Sequence, residues 1–220
     1  MFDIARFMQE VSVMAIPLLL ALSFHEAAHG YVAHMLGDPT AKNAGRLTLN
    51  PFRHLDLIGT IVFFVARFGW AKPVPVDARY FRNPRKGMML VALAGPGANF
   101  LLAALFALVV HCLLLLDMPA PGGIAEKIIV PAYLIAQAGV FVNLILGVFN
   151  LLPLPPLDGS NILAYFLPPR LAYKYLSLGR YGFIILIGII LLGDLLNFSL
   201  VGQAILPVVY ALIRFLGVPL

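Results

Sequence analysis

Charge is scarce in this chain. Asp, Glu, Lys and Arg make up 11% of its 220 residues, against 61% hydrophobic residues, and mean hydropathy is +0.95. So few charges cannot clothe the surface of a soluble domain, which excludes an ordinary water-soluble enzyme or binding module. Cysteine is almost absent: Cys112 stands alone in an apolar run, so no intrachain disulfide exists and packing is its ordinary role. Histidine is scarce too, with five residues. No repeat, low-complexity tail or polar linker divides the chain. A cleavable signal peptide is not expected, because Asp3 and Glu10 accompany Arg6 before the first apolar run.

Long apolar runs are what the chain has in quantity. Its length accommodates about five or six helical spans of roughly 20 residues. They fall at about residues 11 to 36, 88 to 116, 131 to 152, 180 to 198 and 201 to 217. The last is marginal, since it contains Gln203 and Pro207. The expected architecture is an all-α polytopic membrane protein forming one domain over residues 1–220, with a core at about 11–160 and C-terminal helices at about 180–217.

The formal charge of +5 concerns topology rather than nucleic acid. Between Gly37 and Gly87 lie Lys42, Arg46, Arg53, Arg67, Lys72, Arg79, Arg82, Arg85 and Lys86, against Asp38, Asp56 and Asp77. The positive-inside rule places this segment in the cytoplasm, together with the loop carrying Arg170, Lys174 and Arg180. Asp117 to Val130 then lies outside, and the alternation closes only if residues 37 to 87 do not cross. Within them, Leu57 to Ala66 is too short to span and is rich in Ile, Val, Phe and Thr, and Pro73-Val74-Pro75-Val76 resembles an edge-type extended segment. A short re-entrant β hairpin on the cytoplasmic side is therefore expected. Its edge must be shielded by protein or offered to something that binds there.

His25-Glu26-Ala27-Ala28-His29 lies inside the first apolar run. A charged side chain at the centre of a spanning helix costs about 2.5–3.5 kcal/mol on the insertion scale, so this cluster needs compensation that a metal would supply. One helical turn separates His25 from His29, so two imidazoles can grip one Zn²⁺ while Glu26 serves as base to its water. Catalytic zinc takes three protein ligands as a rule. His34 is turned about 140° from His29 and His111 sits near the far end of its span. His54, beside Asp56, could reach the metal, support a neighbour from a second layer, or simply make a local loop hydrogen bond. Asp158 is the better third ligand, because it follows Pro153, Pro155 and Pro156, which break an apolar run where an acid appears. Irregular backbone at membrane depth is tolerated only within protein or around a cavity.

Together, His25 to His29, Gly95-Pro96-Gly97-Ala98-Asn99, and Asn150 through Leu157-Asp158-Gly159 resemble the site-2 protease family of intramembrane zinc proteases, peptidase M50. The resemblance covers about residues 20 to 160 in the family's order. It implies a single membrane-embedded protease domain holding one zinc on His25, His29 and Asp158, with Glu26 as general base. Asn150 matches the asparagine associated with the substrate backbone or oxyanion, and Asn99 matches a G-P-x-x-N position that helix packing explains equally well. Many bacterial relatives carry an inserted PDZ domain or a CBS pair, for which no stretch of this sequence is long or soluble enough. A compact subgroup is implied, with Asn50 to Asp56 and Gly59 also similar to its members.

The expected chemistry is peptide-bond hydrolysis in or beside a transmembrane helix, as in regulated intramembrane proteolysis. The substrate would be a single-pass membrane protein, unwound and held by β addition on residues 61 to 77. A membrane adaptor protein could assist. The expected location is a bacterial or archaeal cell membrane, with the site toward the cytoplasm. A membrane metal-ion transporter is the rival reading of the same His/Asp cluster, although the outer halves of the spans are nearly devoid of polar residues.

Overall fold

The computed structural model describes residues 4–57, 59, 71–116, 122–195 and 199–219. Three long helices form its centre: α1 (Ile4–Met35), α3 (Pro84–Leu114) and α4 (Ile124–Asn150). They pack on one another as a trio. A short helix α2 (Thr40–Asn43) follows α1, and single 3₁₀ turns occupy Pro51–Arg53 and Ala78–Tyr80. After α4 come α5 (Asp158–Phe166), α6 (Pro169–Ser177), α7 (Gly179–Leu195) and α8 (Leu206–Phe215), the last preceded by a π-helical turn at Leu200–Ile205.

Local chemistry sets several of these boundaries. Asn83 caps α3 by accepting a hydrogen bond from the Lys86 amide at 3.1 Å, and Pro84 takes the first helical position, where its missing N–H costs nothing. Pro17, Pro96 and Pro131 all lie inside long helices, which membrane-type packing tolerates. The α3–α4 seam is built largely from small residues, Ala103 and Ala107 against Ala136 and Val140, with Ile205, Val209 and Ile213 closing over it. Small side chains let backbones approach where lipid offers no hydrophobic drive to associate.

Among the described residues, three helices are long and apolar enough to cross a membrane: Val11–Met35, Pro84–Leu114 and Ile124–Asn150. This is fewer than the five or six spans expected. Within the described residues α7 has 17 residues, and the apolar segment Leu200–Phe215 is shorter. In the second case, Ser199 accepts from the Gly202 amide at 2.9 Å and Pro207 sits in the first turn of α8, so a run read as one helix is a π-helical turn joined to a ten-residue helix.

The expected hairpin falls mainly on residues 58 and 60–70, outside the described residues. At its margins the structure departs from a strand. Asp56 accepts a hydrogen bond from the Gly59 amide at 2.8 Å, an N-cap arrangement, and Leu57 and Gly59 are helical. No strand occurs among the described residues; Leu55 and Ala71 form an isolated antiparallel bridge, followed by backbone without regular structure over 72–77.

Candidate active site

α1 presents His25 and His29 one turn apart, with ring centroids 4.6 Å apart and planes nearly perpendicular. Each ring is held from behind. His25 Nδ1 lies 2.7 Å from Asn99 Oδ1 on α3, and His29 Nδ1 lies 2.7 Å from the Val91 carbonyl on the same helix. Both partners are oxygens that can only accept, so both Nδ1 atoms carry the proton and donate it. The two Nε2 atoms then turn toward each other, 3.0 Å apart.

Asp158 completes this triangle from the first turn of α5. Its Oδ2 lies 3.2 Å from His25 Nε2 and 3.3 Å from His29 Nε2; it is buried and receives no hydrogen bond. α5 is set in place at both ends. A Cβ at Gly159 would lie 2.2 Å from the Leu151 carbonyl oxygen, so glycine is what lets the start of α5 lie against the end of α4. At the other end, Arg85 Nη2 donates to the carbonyls of Ala164 and Tyr165 at 3.0 and 2.9 Å, and to Leu167, closing the C-terminus of α5 onto α3.

Three potential metal-ligand atoms, one of them a carboxylate oxygen, converge on one point. A tetrahedral site with bonds of about 2.0–2.1 Å has ligand-to-ligand edges of about 3.3–3.4 Å, close to the three observed separations. Gly95 supports the same conclusion: a Cβ there would stand 2.5 Å from His29 Nε2 and 2.6 Å from His25 Cε1, so α3 presents bare backbone to both rings. The donor set therefore fits a tetrahedral zinc ion, and among the described residues it is the one group of His, Cys, Asp and Glu side chains able to hold a metal.

Glu26 points elsewhere, as its roughly 100° offset from His25 requires. Its Oε2 accepts a hydrogen bond of 2.9 Å from the Val74 amide. That amide belongs to segment 72–77, which is tied down along its length. Lys72 N–H donates to the His54 carbonyl at 2.8 Å, Arg46 Nη2 donates to the Lys72 carbonyl at 2.6 Å, and Asp77 N–H donates to Asp38 at 2.7 Å. Asp38 is fully buried. Burial alone would raise its pKa, but hydrogen bonds from the Thr40 hydroxyl and the Asp77 and Thr40 amides outweigh it and hold the carboxyl below the usual range.

The other sequence candidates lie as follows. His54 is buried and donates from Nε2 to the Thr48 carbonyl at 2.7 Å, so its ring makes a loop bond and its backbone anchors residue 72. Asn150 is half-buried at the end of α4, its amide donating to the Leu146 carbonyl of its own helix at 3.0 Å. Asn99 is fully buried; both its Nδ2 hydrogens are used, toward Ala21 O at 3.2 Å and Asn143 Oδ1 at 3.1 Å, leaving no donor for a substrate. Sequence reasoning missed Asn143 and the Val74 amide, and placed Gly95 in a motif without giving it a part in the metal site. An amide in the middle of an apolar helix was the available signal for Asn143; nothing in Pro73-Val74-Pro75 singles out one amide.

A family model described as peptidase family M50 matches residues 115–192. Over 174 residues the chain is 43% identical to "Putative zinc metalloprotease YwhC" of Bacillus subtilis, covering 78% of this chain and 77% of that protein. The chain belongs to peptidase family M50. Two relatives named "Putative zinc metalloprotease Rip2" are more distant: 29% identical in Mycolicibacterium smegmatis over 81% of this chain and 66% of that one, and 33% identical in Mycobacterium tuberculosis over 69% and 56%. No solved structure matches this M50 chain. Its matched segment contains Asp158 and Asn150, whereas His25 and His29 lie outside it.

Proposed function

We propose that this intramembrane zinc metalloprotease holds its ion on His25, His29 and Asp158 and uses Glu26 as general base. The observation that carries the assignment is the triangle of Nε2, Nε2 and Oδ2 atoms, 3.0–3.3 Å apart. When bound there, zinc lowers the pKa of a water toward about 7 and polarises the scissile carbonyl. Glu26 takes the proton as the water oxygen bonds to the carbonyl carbon, then returns it to the departing nitrogen as the C–N bond breaks. Val74 N–H holds one carboxylate oxygen of Glu26 and so directs the other.

A transmembrane helix hides its carbonyls in its own hydrogen bonds, so its cleavage requires local unwinding. Segment 72–77 runs beside Glu26 and is the candidate ledge for an extended substrate, continuing into residues 61–70 as the hairpin read from the sequence. Asn150 is the candidate for the substrate backbone or oxyanion. The whole chain acts as one membrane domain, its site facing the cytoplasm by the charge argument, with membrane proteins as substrates and an adaptor protein as a possible partner. Family membership disfavours the transporter reading.

The test is metal analysis of purified variants. His25→Ala, His29→Ala and Asp158→Ala should each lose most of the zinc that the wild type holds at about one per chain. Full zinc retention in Asp158→Ala would remove that residue from the site.

A further inference from the structure

Asn143 lies in the middle of α4, fully buried, and belongs to no element of the chemistry described above. Its hydrogen bonds have a direction. Asn143 Nδ2 donates to the Gly139 carbonyl at 2.8 Å, which leaves Oδ1 free only to accept. That oxygen accepts from Asn99 Nδ2 at 3.1 Å. Asn99 Oδ1 therefore faces His25 and accepts from Nδ1 at 2.7 Å. The chain ends at His25, whose Nε2 faces His29 and Asp158.

A simple interhelical fastening would work with either polarity. Here the polarity of both amides is set by backbone carbonyls that can only accept, Gly139 for Asn143 and Ala21 for Asn99. If the Asn99 amide turned over, its oxygen would face the oxygens of Ala21 and Asn143, and its NH₂ would face a ring N–H. Three helices meet in this chain, in apolar surroundings where an amide with an unsatisfied group is costly.

We infer that Asn143 is a positioning residue for the metal centre: together with the Ala21 carbonyl it fixes the amide orientation of Asn99 and, through it, the tautomer and angle of His25. The inference rests on His25 being a metal ligand. Partners of this kind behind a ligating histidine are worth about 10–100-fold in metal affinity.

The experiment measures zinc affinity of the purified full chain by chelator competition, independent of proteolysis. Asn143→Leu should weaken zinc binding about tenfold or more. Asn143→Asp should stay within about threefold of wild type, since it keeps an acceptor for Asn99. The deciding arm places Asn143→Leu on an Asn99→Asp background. A carboxylate offers an oxygen to His25 whichever way it turns, so the leucine should then cost less than about twofold. Equal losses on both backgrounds would show that Asn143 only packs, and unchanged affinity in Asn143→Leu would overturn the inference directly. Should Asn143→Leu fail to accumulate, Asn143→Ala serves on both backgrounds with the same expected pattern. Absence of zinc binding by the wild type would instead defeat the metal assignment on which the inference rests.

Discussion

An alanine at position 95 would bring its Cβ to 2.5 Å from His29 Nε2 and 2.6 Å from His25 Cε1, closer than non-bonded atoms can stand. The rings must turn or α3 must retreat, and either disturbs the metal site. Gly95→Ala is therefore expected to weaken zinc binding at least tenfold with the helical content unchanged, read by metal analysis beside circular dichroism. Full zinc occupancy would show that α3 is not pressed against the rings. At Glu26 the test is one amide proton. Val74 stands between Pro73 and Pro75, so Val74→Pro deletes the N–H where Pro75 already favours extended backbone. A hydrogen bond to a charged group is worth about 1.5–3 kcal/mol, so Val74→Pro should lower kcat about ten- to hundredfold with zinc retained, while Val74→Ala stays near wild type. Equal behaviour of the two variants would mean that the amide does not direct Glu26.

Among the elements, α5 and segment 72–77 position the chemistry without performing it. Arg85 is an exposed side chain serving the carbonyl end of α5, so Arg85→Gln should cost only about 1 kcal/mol of stability. Its sharper effect should be partial loss of zinc, because α5 carries Asp158; unaltered zinc affinity would show that Gly159 and the proline loop suffice. Asp38 anchors the other end of the segment beside Glu26. Its pKa is lowered in the folded protein, so its contribution to stability is complete above the ordinary aspartate value near 3.9. It fades as pH falls through the lower folded value. In detergent, the wild type should lose thermal stability below about pH 4 more steeply than Asp38→Asn, which is less stable near neutrality. Parallel profiles would remove Asp38 from the acid limb.

The long helices α1, α3 and α4 were legible as apolar runs, and the His/Glu/His cluster as costly groups needing a purpose. The short helices α5 and α6 were not, because they are held in place by partners distant in sequence: Arg85 for one, and for the other the Pro153 carbonyl, which accepts from the Tyr175 hydroxyl at 2.7 Å. The hydrogen-bond chain from Asn143 to His25 spans three helices, so local pattern could not reveal it.

For the whole molecule, the charge argument places both ends of the 37-to-87 segment on one side of the membrane. Single cysteines at Arg46 and Arg82, in a chain lacking Cys112, should be labelled from the cytoplasmic side alone; labelling from opposite sides would overturn the topology. The central claim is narrower: three side chains hold zinc and a fourth, beside them but outside the metal shell, moves the proton. Glu26→Gln separates those roles in one preparation, assayed for zinc content and for cleavage of a membrane-protein reporter. The account predicts about one zinc per chain and no cleavage. Cleavage that persists, or zinc that departs with the activity, would contradict it.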